Sequence, residues 1–310
     1  MKKIQGAFAG RERMLKCGLH CHTTRSDGSG DPAEVMRIYA EKGFDYLAIT
    51  DHRRYNYENY APETGLKIIP GMEMDRNITS DAGMCFHTVS IGPSRENGNG
   101  FEHDQRFERG QVVGQREYQE VLDFLHANGN LTIYCHPEWS CTPARSFEEL
   151  QGDFAMEIWN TGCALETDCD KNAAGWDELL VRGRKIYGVA TDDGHPTYQH
   201  GLGWVMVRAA DDLDSVLAAL KRGDFYSSTG PEIYDFHLDG ENVHLECSPC
   251  SYIHFVCGTR PMSSVRNSSG LISSADVKLP AGAKYIRATV VDAEGRRAWT
   301  NPIFLDARND

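Results

Sequence analysis

The chain has 310 residues, 40% of them hydrophobic, and a formal net charge of −13. That length supports one large domain plus a small one, and the acidic balance argues against a sequence-independent nucleic-acid binder, which needs a basic surface. No apolar stretch reaches the ~20 residues of a membrane span, and Arg11, Glu12 and Arg13 interrupt any apolar run behind Lys2 and Lys3, so no signal peptide is read and a cytoplasmic protein is expected.

In chain order, Met14–Leu19 reads as a strand. Asp31 then stands as an N-cap before Pro32, Val35, Ile38 and Tyr39 give an apolar helix face, and Gly43 stops the helix. Strands are predicted at 44–50, 66–73 and 85–91, followed by a polar, Gly-rich loop over 93–114 that could cover a site. A helix over 116–127 ends at Asn128-Gly129, and strands follow at 131–135, 155–159, 185–190 and 204–208. Helices fit at 169–182 and 211–222. Repeated βα units imply a mainly parallel sheet or barrel with function at the carboxyl ends of its strands. Past Gly230-Pro231 only short strands are read, at 235–238, 243–247, 253–257 and 286–291. The expected organisation is therefore an α/β domain over 14–230 and a small antiparallel β-domain over 231–310.

Nine metal-type side chains stand along the first two-thirds of the chain, nearly all at the end of an apolar run: His20, His22, Asp27, His52, Glu73, His87, His136, Asp193 and His195. One such residue at a strand exit is unremarkable. The same event at strand after strand points to one site where the exits converge, and mixed imidazoles and carboxylates suit Zn²⁺, Mn²⁺ or Fe²⁺. His20 and His22 would share one face of a strand. Taken together, His20-Cys21-His22, Ser26-Asp27-Gly28, Thr50-Asp51-His52, Pro70-Gly71-Met72-Glu73, His87, His136-Pro137 and Asp193-Gly194-His195 resemble the PHP family, named for polymerase and histidinol phosphatase domains. The resemblance covers roughly residues 14–230.

That resemblance implies a distorted (β/α)7-type barrel and two or three divalent ions. His20, His22, Asp193 and a bridging Glu73 would hold one ion, Glu73, His87 and His136 a second, and Asp27, His52 and His195 a third. The family's Asp-x-His pattern selects Asp193, leaving Asp192, like Asp51, as a hydrogen-bonding residue behind the ligands. The expected activity is hydrolysis of a small phosphate ester by a metal-bound hydroxide at a di- or trinuclear site, with Glu73, Asp193 and His195 as catalytic residues. Arg25, Arg53 and Arg54 adjoin ligand positions and are candidates to fork phosphate oxygens. The alternatives are a carbamate, ester or amide hydrolase of the same fold, and a non-catalytic metal-binding scaffold. The expected partner is a small phosphorylated substrate, with neither a membrane nor a nucleic-acid polymer.

The other histidines, His103, His126, His200, His237, His244 and His254, match no motif and are read as structural or solvated, with loop residues His103 and His200 as possible substrate contacts. The ten cysteines are expected to be reduced thiols. Cys247 and Cys250 have the spacing of half a zinc knuckle, with no second pair following.

Overall fold

A computed structural model describes residues 4–8, 13–79, 83–169, 172–258 and 261–305. The strands are β1 (Ile4–Phe8), β2 (Leu15–Gly18), β3 (Tyr46–Leu47), β4 (Lys67–Ile68), β5 (Gly71–Ile78), β6 (Cys85–Ile91), β7 (Gly110–Val112), β8 (Leu131–Tyr134), β9 (Ala155–Asn160) and β10 (Tyr187–Thr191). They continue as β11 (Trp204–Val207), β12 (Phe225–Ser228), β13 (Ile233–Asp239), β14 (Asn242–Cys250), β15 (Tyr252–Val256), β16 (Pro261–Val265), β17 (Ile272–Lys278), β18 (Tyr285–Val291), β19 (Arg297–Thr300) and β20 (Ile303–Phe304). Between them lie helices α1 (Pro32–Glu41), α2 (Gln115–Ala127), α3 (Thr161–Thr167), α4 (Asn172–Val181) and α5 (Leu213–Arg222). No helix among the described residues is long and apolar enough to cross a membrane.

The fold is α/β, and its helix ends follow local chemistry. The Asp31 side chain accepts from the N–H groups of Ala33 and Glu34 and so caps α1. Asp212 caps α5 through Ser215 N–H, and Gly223 closes it at φ 80°. Helix α3 was not expected from the sequence; Asn160 caps it by accepting from Cys163 N–H.

The strands form three sheets. One has the order β10-β9-β8-β6-β5-β7, another β1-β13-β14-β17, and the largest β16-β15-β18-β19-β12-β11-β2-β3-β4 with β20 on β18. The expectation of mainly parallel pairing holds for β2-β3-β4 and β8-β9-β10. It fails at β6, which runs antiparallel to both β5 and β8. The link from β5 to β6 is too short for a parallel crossover, which needs a dozen or more residues, so β6 must reverse. The strand predicted at 66–73 breaks at Pro70, which has no N–H for a ladder, and resumes as the longer β5. Glu73 and His87 therefore stand inside strands rather than at their exits. The loop read over 93–114 contains a 3₁₀ turn, Arg95–Asn97, and β7.

The regular ladders do not close into one barrel. The two larger sheets meet instead at single parallel bridges, His52 with Glu73 and Cys21 with Gly194. Leu15, Val89, Ile133, Val189 and Val205 pack one core between the sheets, while Phe236, Val243, Leu245, Ile253 and Val290 pack another beneath the terminal strands. Strands β18 and β19 extend the sheet that also contains β2 and β3, so the sheet runs continuously across residue 231. Asn301 fastens this junction, accepting from Gly188 N–H and donating to the Gly223 and Phe225 carbonyls.

Asp153, just before β9, is buried, and its Oδ1 has no hydrogen-bond partner. Burial pushes its pKa up to about 6, opposed by the Thr132 hydroxyl and Arg184. A carboxyl raised in the folded state stabilises the protein below the unfolded value, and that contribution is lost as pH rises through about 6. Asp153→Asn is therefore expected to raise stability at pH 7 by about 3 kcal/mol, with the gain vanishing below about pH 4. Urea melts of both proteins at pH 4 and 7 check this; a gain independent of pH would contradict it.

Candidate metal centre

The exits of β2 and β10 zip together. His22 N–H donates to Gly194 O and Asp193 N–H to His20 O, each at 3.0 Å, which brings His20 and His22 against Asp193 and His195. The chain then turns tightly at Thr23–Gly28, where a Cβ on Gly28 would lie 2.6 Å from the His22 backbone. Asp51 holds this turn by accepting from Thr23 N–H, the Thr23 hydroxyl and the Ser26 hydroxyl. The exit of β3 is tied to β5 by Glu73 N–H on Thr50 O and Arg53 N–H on Glu73 O, and Cys135 N–H on His87 O ties β8 to β6. Arg53, His136 and Asp193 all adopt left-handed backbone, at φ 55°, 27° and 48°. Such conformations cost energy in non-glycine residues and cluster at functional sites.

All nine ligand-type side chains converge. Glu73 is at the centre: Oε1 lies 2.8 Å from His87 Nδ1 and 3.4 Å from His136 Nε2. Its Oε2 lies 3.0 Å from His52 Nδ1, 3.3 Å from His22 Nε2 and 3.6 Å from His20 Nε2. Asp193 Oδ1 is 3.0 Å from His22 Nε2 and 3.2 Å from His20 Nε2. Asp27, at the exposed edge, is 3.4 Å from His195 Nε2 and 3.6 Å from His52 Nε2. Five groups have donor atoms close enough to share an ion: His20, His22, Glu73 and Asp193; His22, Asp27, His52 and His195; His52, Glu73 and His87; Glu73, Cys135 and His136; and His20, Cys135 and Glu157. The first matches the set expected from sequence. In the others His22 joins the Asp27 set, while His87 and His136 fall into separate groups.

The buried polar atoms fit a divalent cation. Glu73 Oε2 and His52 Nδ1 have no hydrogen-bond partner, and His20 Nε2 and His22 Nε2 face each other at 3.2 Å. Lone pairs from imidazoles and carboxylates thus converge on shared space, the donor set that Zn²⁺, Mn²⁺ and Fe²⁺ accept. Burial alone would raise Glu73, but His52, His87 and His20 outweigh it and hold the carboxylate well below its usual range. Burial likewise opposes charge on His52 and His87, but Glu73 together with Asp75 and Asp27 lifts His52 to about 11, and Glu73 together with Cys85 lifts His87 to about 10.

Other residues fall behind or beside the cluster. Asp192 is buried and accepts from the Tyr39 hydroxyl and the N–H groups of Gly201, Leu202 and Gly203, a hydrogen-bonding role apart from the donor set. The cavity above the cluster has a volume near 920 Å³ and is lined by Arg53, Asp75, Met84, Arg109, Trp139 and Glu166 among others. Arg53 pairs with Asp75. Arg25 and Arg54 both pair with Asp104 and line a shallower adjoining depression with Arg106. His103, paired with Glu58, and the buried His200 do not line the main cavity.

Sequence reasoning missed Glu157, Asn160, Asp75 and Trp139. Asp75 was findable, since i, i+2 spacing puts it on the Glu73 face of β5. Cys247 Sγ and Cys250 Sγ lie 3.7 Å apart, but no third donor joins them among the described residues, so the half-knuckle spacing gathers no metal site.

The strand exits thus assemble a cluster of potential metal ligands at the floor of a cavity. Residues 18–165 match the PHP domain. Seven of the nine ligand-type residues lie within it, all but Asp193 and His195. Over 81 residues the chain is 37% identical to a 5′-3′ exoribonuclease of Haemophilus influenzae, a match covering 24% of this chain and 28% of that protein's length. Among solved structures it is similar to a two-domain protein of Bacteroides vulgatus containing a predicted PHP-like metal-dependent phosphoesterase. That likeness has 14% identity and a TM-score of 0.49, over 98% of each chain. It is also similar to PsfC of Pseudomonas syringae, with 12% identity and a TM-score of 0.44 over 66% of this chain and 86% of that one.

Proposed function

We propose that the protein is a metal-dependent phosphoesterase that hydrolyses a small phosphorylated molecule at a centre of two or three Zn²⁺, Mn²⁺ or Fe²⁺ ions. The observation that carries this reading is Glu73, a fully buried carboxylate with a partnerless oxygen, surrounded by His20, His22, His52, His87 and His136. Bound divalent ions supply Lewis acidity toward a phosphoryl oxygen and acidify water. Glu73 and Asp193, with the surrounding histidines, would hold the ions, and His195, on the solvent side with Asp27, would pass a proton to the leaving group. Arg53, on the cavity wall, is placed to take a phosphoryl oxygen, and Arg25 and Arg54 bind anionic groups beside it. In the same reading residues 14–230 form a distorted barrel, its strands running β2, β3, β5, β6, β8, β9, β10, and residues 231–310 form an accessory β-rich part.

A second reading, carbamate, ester or amide hydrolysis, is favoured by one observation: Arg25, Arg53 and Arg54 are already neutralised by Asp104 and Asp75. The test is metal analysis of gently purified protein joined to turnover of phosphomonoesters, phosphodiesters and carbamates. Arg53→Ala is expected to lower kcat/KM for a phosphate ester about thirtyfold, the loss of one charge-assisted hydrogen bond of about 2 kcal/mol, and to leave a neutral carbamate unaffected. Carbamate turnover with no phosphate turnover would establish the second reading, and metal-loaded protein inert across the panel would overturn both.

A further inference from the structure

Strand β9 is flanked by β8 and β10, whose exits lead to His136 and to Asp193 and His195, yet it contributes none of the nine ligand-type side chains. It contributes Glu157, which is fully buried and meets no Lys or Arg among the described residues. Its carboxylate is saturated by hydrogen donors. Oε1 accepts from His20 Nδ1 at 2.7 Å and the Thr191 hydroxyl at 2.6 Å. Oε2 accepts from the His136 backbone N–H at 2.8 Å and Asn160 Nδ2 at 2.9 Å. Asn160 Nδ2 also donates to Asp193 Oδ2 at 3.0 Å, while its Oδ1 caps α3. One buried carboxylate therefore touches His20 and His136 and reaches Asp193 through Asn160.

An ionised carboxylate only accepts, so the His20 nitrogen facing it must carry the hydrogen. The other nitrogen, Nε2, then turns a lone pair toward Glu73 and Asp193. We propose that Glu157 is a positioning residue that fixes His20 as the Nδ1–H tautomer and thereby sets the affinity of the centre for the ion His20 would hold; this rests on the reading under Proposed function. Glutamine cannot replace it, although it has the same shape. With the amide oxygen at the Oε1 position, its NH₂ confronts two donors, the His136 N–H and the Asn160 amide. Asn160 cannot flip to relieve this without losing both the α3 cap and Asp193. With the NH₂ at the Oε1 position, it donates to His20 Nδ1 and drives the hydrogen to Nε2, into the ion's place.

The test uses full-length protein stripped of metal and titrated with Zn²⁺ against a chromophoric chelator. Glu157→Gln is expected to bind one ion about ten- to a hundredfold more weakly than wild type, with the other binding little changed. Long-range ¹H–¹⁵N spectra of zinc-loaded wild type should show the hydrogen of the His20 ring on Nδ1, a readout that does not depend on the variant folding. Equal zinc affinity in variant and wild type, or a His20 ring with bare Nδ1, overturns the inference alone. Wild-type protein that binds no divalent ion overturns it together with the proposed function.

Discussion

Glu73→Gln is expected to empty the centre and stop turnover together. Both carboxylate oxygens face imidazoles: Oε1 faces His87 and His136, and Oε2, which has no hydrogen-bond partner, faces His52, His22 and His20. An amide removes the negative charge that would offset bound cations in the proposed centre, and it points N–H groups at nitrogens whose lone pairs would meet metal there. Losing the polarisation an ion supplies, several kcal/mol of transition-state stabilisation, corresponds to a rate loss of roughly a thousandfold or more. Plasma mass spectrometry of protein purified without chelators should show at least one ion fewer per chain. A full complement of metal with wild-type turnover would remove Glu73 from its bridging place.

Asp177→Ala is expected to give the largest loss of stability. Arg287 lies on β18, an almost wholly buried strand, and its guanidinium meets Asp177 at 2.7 Å through Nε and 2.5 Å through a terminal nitrogen. It also donates to the Thr289 hydroxyl and lies 4.8 Å from the Trp176 ring. Both members of the pair are buried, and they join helix α4 to the terminal strands. Removing the acid leaves a buried cation without its counter-charge, which costs about 3–5 kcal/mol. Replacing both members by apolar residues of similar volume is expected to restore most of that, since desolvating the pair offsets much of its attraction. Denaturant melts of the single and double variants separate these outcomes, and a single variant as stable as wild type would contradict the account.

Several features were legible because their chemistry is local. The cap at Asp31, the helix end at Gly43, and the ligand-type residues after β2, β3 and β10 follow from short-range pattern. Strand pairing was not legible. Nothing in the residues of β6 states that it lies antiparallel between β5 and β8; that follows from a short link and from which neighbours remain free. β17 carries the adjacent exposed Ser273 and Ser274 beside a single buried residue, Ala275, and β7 offers little apolar signal beyond Val112. Glu157 was hidden inside Ala155–Trp159, a run scored for its hydrophobicity. The usable signal was the anomaly itself, since a lone acid in a buried strand needs a polar partner. The three arginines were visible as charges, but their pairing with Asp75 and Asp104 depends on segments distant in sequence.

Ile4 is a register partner of Asp239, so β1 finds its place on β13, at the edge of a sheet whose other strands come from the last third of the chain. On the ribosome the first strand emerges long before its mate has been translated, and it must wait as an extended segment with open hydrogen-bonding groups. Pairings of such long sequence separation form slowly and leave nascent chains open to wrong partners. Completion of this sheet thus waits until β13 has been made, and the β1 segment is the place where chaperone dependence of biogenesis would concentrate.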